Sequence, residues 1–216
     1  MKATFLILAV AAASIASAAT ISSGTNASGG LLAAGALDPF FTVTGPAGVT
    51  NQAFVVPNLF SCQYYNTGAC STLGTSSAQW ITNSMGMSSP TGVYTFTEAF
   101  IVGTTSLSGI WATDNCGQLT VAGGTVTGGT IGGNTVATCN GSQSANFSVP
   151  TPFTISGLTV GQTYNLVFTV VNTEGPSALF VDAGPVGNAP EPSSIFSMLT
   201  GLGVVGFAIR RRQAAK

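Results

Sequence analysis

From Val93 to Val102 the chain alternates. Tyr94, Phe96, Phe100 and Val102 fall on one side, Val93, Thr95, Thr97, Ala99 and Ile101 on the other, and Glu98 alone interrupts the apolar side. A period of two is the mark of a strand with one face buried. Thr163 to Asn172 repeats it with Tyr164, Leu166, Phe168 and Val170. Phe153 with Ile155, and Leu179 with Val181, give shorter versions, and Phe40–Thr44, Ala53–Val56 and Leu107–Thr113 also read as strands. Turn pairs punctuate them: Gly45-Pro46, Ser89-Pro90, Gly123-Gly124, Gly128-Gly129, Gly132-Gly133 and Gly175-Pro176. Many short strands split by Gly and Pro predict an all-β, antiparallel β-sandwich.

Two segments stand outside this pattern. Met1 to Ala18 has Lys2 at its start, an apolar core over Phe5–Ala13, and Ala16-Ser17-Ala18 as a small-x-small cleavage site. It reads as a signal peptide, with the mature chain starting at Ala19 or Thr20 after the Sec export machinery and signal peptidase have acted. At the other end come Pro190-Glu191-Pro192, an uncharged run Ser193–Ile209, and Arg210, Arg211 and Arg212. The two prolines stop any preceding helix. As a helix, 193–209 would reach about 25 Å, near the short limit for a bilayer span. The arginines would hold their side in the cytoplasm. The chain therefore divides into a signal peptide over 1–18, a single β-sandwich ectodomain over 19–187, and a tail over 188–216.

Proline pair, apolar run and basic end, in that order, resemble the PEP-CTERM sorting tail. The resemblance implies recognition and cleavage near Pro190-Glu191-Pro192 by a membrane protease of the exosortase type. The chain would be anchored in the inner membrane by one transmembrane helix, then delivered to the cell surface or extracellular matrix. The competing reading is a tail anchor that is never cut.

Composition narrows the chemistry. The five Lys and Arg residues are Lys2, Arg210, Arg211, Arg212 and Lys216, and the chain has no His. The ectodomain between them is a weak polyanion with no side-chain cation. Phosphate binding through cationic side chains is excluded, which argues against nucleic acid. A Ser-His-Asp triad, a Cys-His pair and a His-ligated metal fail on inventory. Cys62, Cys70, Cys116 and Cys139 are an even set in an exported chain, which points to disulfides. Three connectivities are open, and the near-neighbour pairing Cys62–Cys70 with Cys116–Cys139 is favoured. Loop-closure arithmetic gives about 2.6 and about 3.4 kcal/mol for those loops, as upper estimates. The spacing does not suit zinc, and a catalytic thiol would lack a base.

A second resemblance rests on Trp80-Ile81, on Tyr94-Thr95-Phe96 with Phe100, on Leu107 to Asn115, and on Asn165 to Asn172. These are similar to a domain common among PEP-CTERM proteins that looks like the galactose-binding-like jelly roll. The resemblance implies a two-sheet, jelly-roll-like sandwich of about eight main strands over Ser22–Gly184. Relatives of that fold often bind carbohydrate, and many hold a structural calcium ion, properties the fold alone does not transfer.

Candidate calcium ligands are Asp114 and Asn115 at a strand end, and Asp38 and Asp182, which the first and last strands could bring together. For Asp114-Asn115 an Asx turn that satisfies its own backbone is the preferred reading. Tyr64, Tyr65 and Trp80 are candidate glycan contacts, whereas Trp111 reads as core. Glu98 is a site candidate if it stays on the apolar face, since a buried carboxylate resists ionisation. A bulge turning it outward, or Tyr and Ser hydroxyls satisfying it, is the expected outcome. Glycosidase pairs of Glu98 with Glu174 or Asp114 can be written down. The Gly-rich run Ala122–Asn134 lacks the Gly-Lys-Ser/Thr ending of a phosphate loop and reads as tight turns. Asn26-Ala27-Ser28, Asn140-Gly141-Ser142 and Asn146-Phe147-Ser148 match the glycosylation sequon. Together these features describe an exported, non-enzymatic surface or matrix protein with no catalytic residues and no certain cofactor, in contact with exopolysaccharide. The alternatives are a calcium-dependent, lectin-like module and, third, a glycoside hydrolase.

Overall fold

The two longest alternating segments become the two longest strands. In a computed structural model, which describes residues 20–46, 52–56, 78–84, 89–139, 147 and 149–185, the elements run as twelve strands. They are β1 (Ile21–Ser22), β2 (Thr42–Thr44), β3 (Phe54–Val55), β4 (Ile81–Thr82), β5 (Gly92–Ile101) and β6 (Ser106–Asp114). Then follow β7 (Cys116–Val121), β8 (Thr125–Thr127), β9 (Thr130–Ile131), β10 (Thr151–Ser156), β11 (Thr163–Asn172) and β12 (Ala178–Pro185). Among the described residues no helix is long and apolar enough to cross a membrane. The signal peptide, Cys62, Cys70, Tyr64, Tyr65, the sequons at Asn140 and Asn146, and the tail with Pro190, Glu191, Pro192, Arg210, Arg211 and Arg212 lie outside the described residues.

The strands form two antiparallel sheets. One has the order β3-β4-β12-β6-β10-β8, with β1 also on β12; the other runs β2-β5-β11-β7-β9. This is the expected all-β, antiparallel architecture; the described residues form twelve strands, where the resemblance implied about eight main ones. The excess comes from strands of two or three residues. β8 and β9 lie inside the Gly-rich run that reads as turns alone, and Gly123, Gly128 and Gly132 make the corners at positive φ. β4 and β1 share one edge of β12: Thr82 and Ile81 pair with Ala178 and Leu179, and Ile21 and Ser22 pair with Ala183 and Asp182. Ser23 fills the gap between them. Its hydroxyl donates to the Gln79 carbonyl at 2.6 Å and accepts the Val181 N–H at 3.0 Å.

Residues from both sheets meet in one core. Tyr94, Phe96 and Phe100 of β5 and Leu166, Phe168 and Val170 of β11 point inward, as the alternation requires. Trp111 of β6 is fully buried, with its ring centroid 5.6 Å from that of Phe168. Its indole N–H donates to the Gly128 carbonyl at 3.1 Å, so the polar atom of the core's largest side chain is satisfied. The seven-stranded sheet is apolar on its other face too. There Trp80 packs on Phe180 at 5.8 Å between centroids, beside Ala112, Ala178 and Val56. That second cluster explains why Leu107–Thr113 reads as a run without clean alternation. Gly109 permits the close approach of β6 and β12, since a Cβ there would meet the Asp182 carbonyl oxygen at 2.5 Å.

Cys116, the first residue of β7, is bonded to Cys139, with their Cα atoms 5.6 Å apart. The favoured connectivity is thus present for this pair. The bridge closes the segment that carries β8 and β9. Replacing Trp111 with Ala should cost about 3–5 kcal/mol, because it empties the middle of the core and strands the Gly128 carbonyl. Urea unfolding of Trp111→Ala beside wild type measures this. A loss under about 1 kcal/mol would place the indole at the periphery of the core.

Candidate functional site

Glu98 is where chemistry departs from a sandwich's ordinary interior. The β5–β11 ladder passes it without a bulge: Thr97, Glu98 and Ala99 pair in step with Val167, Leu166 and Asn165. The alternation therefore carries Glu98 inward, between Phe96 and Phe100. It is 6 % exposed, and its Oε2 has no hydrogen-bond partner. The expected outward turn and the expected hydroxyl partners are both absent. A regular ladder leaves no residue in excess to rotate the side chain; Tyr94 on the same strand donates to the Pro90 carbonyl, and the hydroxyl of Tyr164, diagonal to Glu98 on β11, accepts from the Thr159 N–H. Burial pushes the Glu98 carboxyl up to about 8, with the charge of Asp38 adding to the effect. At neutral pH it is largely an uncharged acid.

Asp38 is fully buried, and its oxygens serve the backbone. Oδ2 accepts from Gly24 N–H at 2.7 Å, and Oδ1 accepts from Phe40 N–H at 2.8 Å and Phe41 N–H at 3.0 Å. Burial raises its pKa, and those three donors oppose the rise. It is an Asx turn that ties the N-terminal segment to the start of β2, a role signalled by the dipeptide Asp38-Pro39. Asp182 sits opposite Ser22, whose hydroxyl donates to Asp182 Oδ1 at 3.1 Å.

A cleft of about 290 Å³ opens beside these groups, lined by Thr20, Ser22, Asn26, Phe40, Glu98 and Asp182 among others. Phe40 is 38 % exposed at its rim. Asp182 lines this cleft, whereas Asp38 is not among its lining residues and is bonded to the backbone of Gly24, Phe40 and Phe41. The walls around Ser22, Thr25 and Asn26 carry no signal in the sequence, because only the β1–β12 pairing places them there.

The other candidates lie elsewhere. The registers put Asp114 opposite Ala178, and Glu174 two residues past Asn172, which pairs with Gly92. Glu98 is six strand positions from Gly92, roughly 20 Å at strand rise. The sandwich thus holds Glu98 and Glu174 at opposite ends, so neither that pair nor Glu98 with Asp114 forms a two-carboxylate site. Asn115 donates to Asp114 Oδ1 at 2.6 Å and accepts from the backbone and hydroxyl of Thr173 at 2.9 and 3.0 Å. The Thr173 contacts are long-range and tie the end of β6 to the segment that follows β11. Among the described residues no group of three or more acidic or cysteine side chains could hold a metal ion. Trp80, expected as a glycan contact, is 5 % exposed, with its ring against Phe180.

The Glu98 environment makes a signed prediction for a chain in which residues still precede Ala19. The folded state binds the Glu98 proton more tightly than the unfolded state, so stability is full below about pH 4.5 and falls as pH rises to about 8. The ceiling of the loss is on the order of 5 kcal/mol, and burial of Asp38 acts in the same direction. Urea midpoints at pH 5 and pH 8.5 read it. Glu98→Gln should flatten most of the slope; an unchanged slope in that variant would assign it to another group.

Residues 188–212 match the PEP-CTERM protein-sorting motif. No curated protein and no solved structure matches the chain. The protein carries the PEP-CTERM sorting motif and is thereby an exported chain, anchored at the membrane before an exosortase processes it.

Proposed function

We propose that the ectodomain is a non-enzymatic structural or adhesive module of the cell surface or extracellular matrix that contacts exopolysaccharide. The observation that carries this reading is the outer face of the five-stranded sheet. The registers align Thr44, Thr95, Thr169, Gln118 and Thr130 in one row, one residue from each strand. Thr42, Thr97, Val167 and Thr120 form a second row. Neighbours along a row stand about 4.8 Å apart. These positions are exposed or half-buried, and no acidic residue lies on the face.

Such a surface offers a repeated pattern of hydroxyl and methyl groups without charge. A neutral polyhydroxylated polymer meets it with hydrogen bonds and apolar ring faces and incurs no cost for desolvating ions. The carboxylates support the non-enzymatic reading, since the registers keep Glu98, Asp114 and Glu174 from forming a catalytic pair.

Co-sedimentation of the processed protein with exopolysaccharide from the producing cells tests the proposal. Binding should persist at high salt and in chelator. Thr97→Lys with Thr169→Lys should weaken it about tenfold or more, near 1.4 kcal/mol, while leaving the urea midpoint nearly unchanged. No sedimentation, or binding abolished by chelator, would contradict this reading; the second result would favour the calcium-dependent lectin.

A further inference from the structure

The cleft beside β1 lacks a counter-charge. Glu98 is one of its lining residues, with its buried Oε2 unpartnered, and Asp182 lines it too. The one charged neighbour acting on Glu98 is another carboxylate, Asp38. The sequence holds no Lys, Arg or His between Ala19 and Ile209, so no side chain of the ectodomain can neutralise the site.

One cation can arise there. Hydrolysis of the peptide bond after Ala18 adds water across it, leaving a carboxylate on the leader and a new α-amino group on Ala19; a start at Thr20 places that group one residue on. Thr20 itself lines the cleft, next to Ser22 and Glu98. The β1 register carries Thr20 toward Gly184, which lines the cleft as well. An amino group on Ala19 is one residue away, about 3.8 Å between Cα atoms. We propose that this cleft is a binding site for a primary ammonium, and that its ligand is the protein's own amino terminus, created by leader removal and paired with Glu98.

Before cleavage the nitrogen at this position is an uncharged amide, and Glu98 keeps its proton. After cleavage an ammonium with three donors faces Glu98, whose carboxyl on losing its proton becomes an acceptor only. An opposite charge within about 4–6 Å lowers a carboxyl pKa by 1–3 units, and the amine rises in return. Of the groups lining the cleft only Glu98 of β5 and Asp182 of β12 titrate, and Asp38 adds its field to Glu98. The pair changes the pH response. With the leader attached, stability falls from about pH 4.5 to 8. In the processed chain the raised amine contributes fully below its unfolded value, near 7.7–8.0, and is lost only as pH climbs through its higher folded value. The domain thus reaches its working stability after it has crossed the membrane.

The natural processed protein tests this. Mass spectrometry fixes the amino terminus, and nitrogen-15 labelling then reports its unmodified α-amino group, since the ectodomain has no lysine amine to overlap it. An NMR titration of the label should give a pKa at least one unit above the ordinary 7.7–8.0, a tenfold gain in proton affinity. Glu98→Gln should return it to the ordinary value, and Glu174→Gln, exposed at the far end, should leave it raised. A variant with two glycines inserted after Ala18 should unfold at lower urea than wild type at pH 7.5. An amino terminus other than Ala19 or Thr20, an ordinary pKa in wild type, or a raised pKa indifferent to Glu98→Gln would overturn the proposal.

Discussion

The ten-residue ladder between β5 and β11 is the interaction on which the rest depends. Its register puts Tyr94, Phe96, Glu98 and Phe100 on the inner face and Thr95 and Thr97 on the outer one. A slip of one residue would exchange those faces, burying threonines and exposing three aromatic rings. The same register therefore fixes the core around Trp111 and Phe168, the charge-free threonine rows, and the burial of the one carboxylate on that strand. Glu98 is held inside by its neighbours rather than by any partner of its own. Moving it outward would require Phe96 and Phe100 to leave the core with it.

That constraint weighs more in a chain without cationic side chains. Ion pairs contribute nothing to specificity inside the described domain, so buried acids must be neutral or satisfied by backbone donors. Asp38 takes the second course, with three N–H groups. Glu98 takes the first, through its proton. Asn115 and Asn172 anchor the far end with amide chemistry alone, Asn172 donating to the Ser89 carbonyl at 2.8 Å. The two ends of the sandwich are thus tied by neutral contacts, and the unsatisfied Glu98 oxygen stands at the end where the N-terminal segment crosses.

Long strands were legible because a period of two over ten residues has no competing explanation. β5 and β11 follow from it, as does the inward position of Glu98, had the alternation been taken at face value; β10 and β12 were read from shorter alternations and β6 from an apolar run. The expectation of a bulge gave weight to the cost of burying a carboxyl and too little to the aromatic rings on either side. β1, β4, β8 and β9 were illegible, since two or three residues carry no period and exist as strands only through their pairing partners. β7 was obscured by Gly117, whose missing side chain is required by the Thr169 carbonyl oxygen 2.6 Å from any Cβ there. The cleft could not be read at all: Ser22 and Asp182 lie 160 positions apart and meet through β1 on β12. The sorting tail was fully legible, because its signal is local composition and order rather than contact.

The most direct test of this account is the carboxyl titration of Glu98 itself, followed by carbon NMR in protein with two glycines ahead of Ala19, which move the free amine out of register with the cleft. The account predicts a midpoint near 8, as burial without a partner demands. A midpoint near the ordinary glutamate value, about 4.3, would show the side chain turned to solvent or already paired, and the buried, uncompensated carboxyl at the centre of this description would not exist.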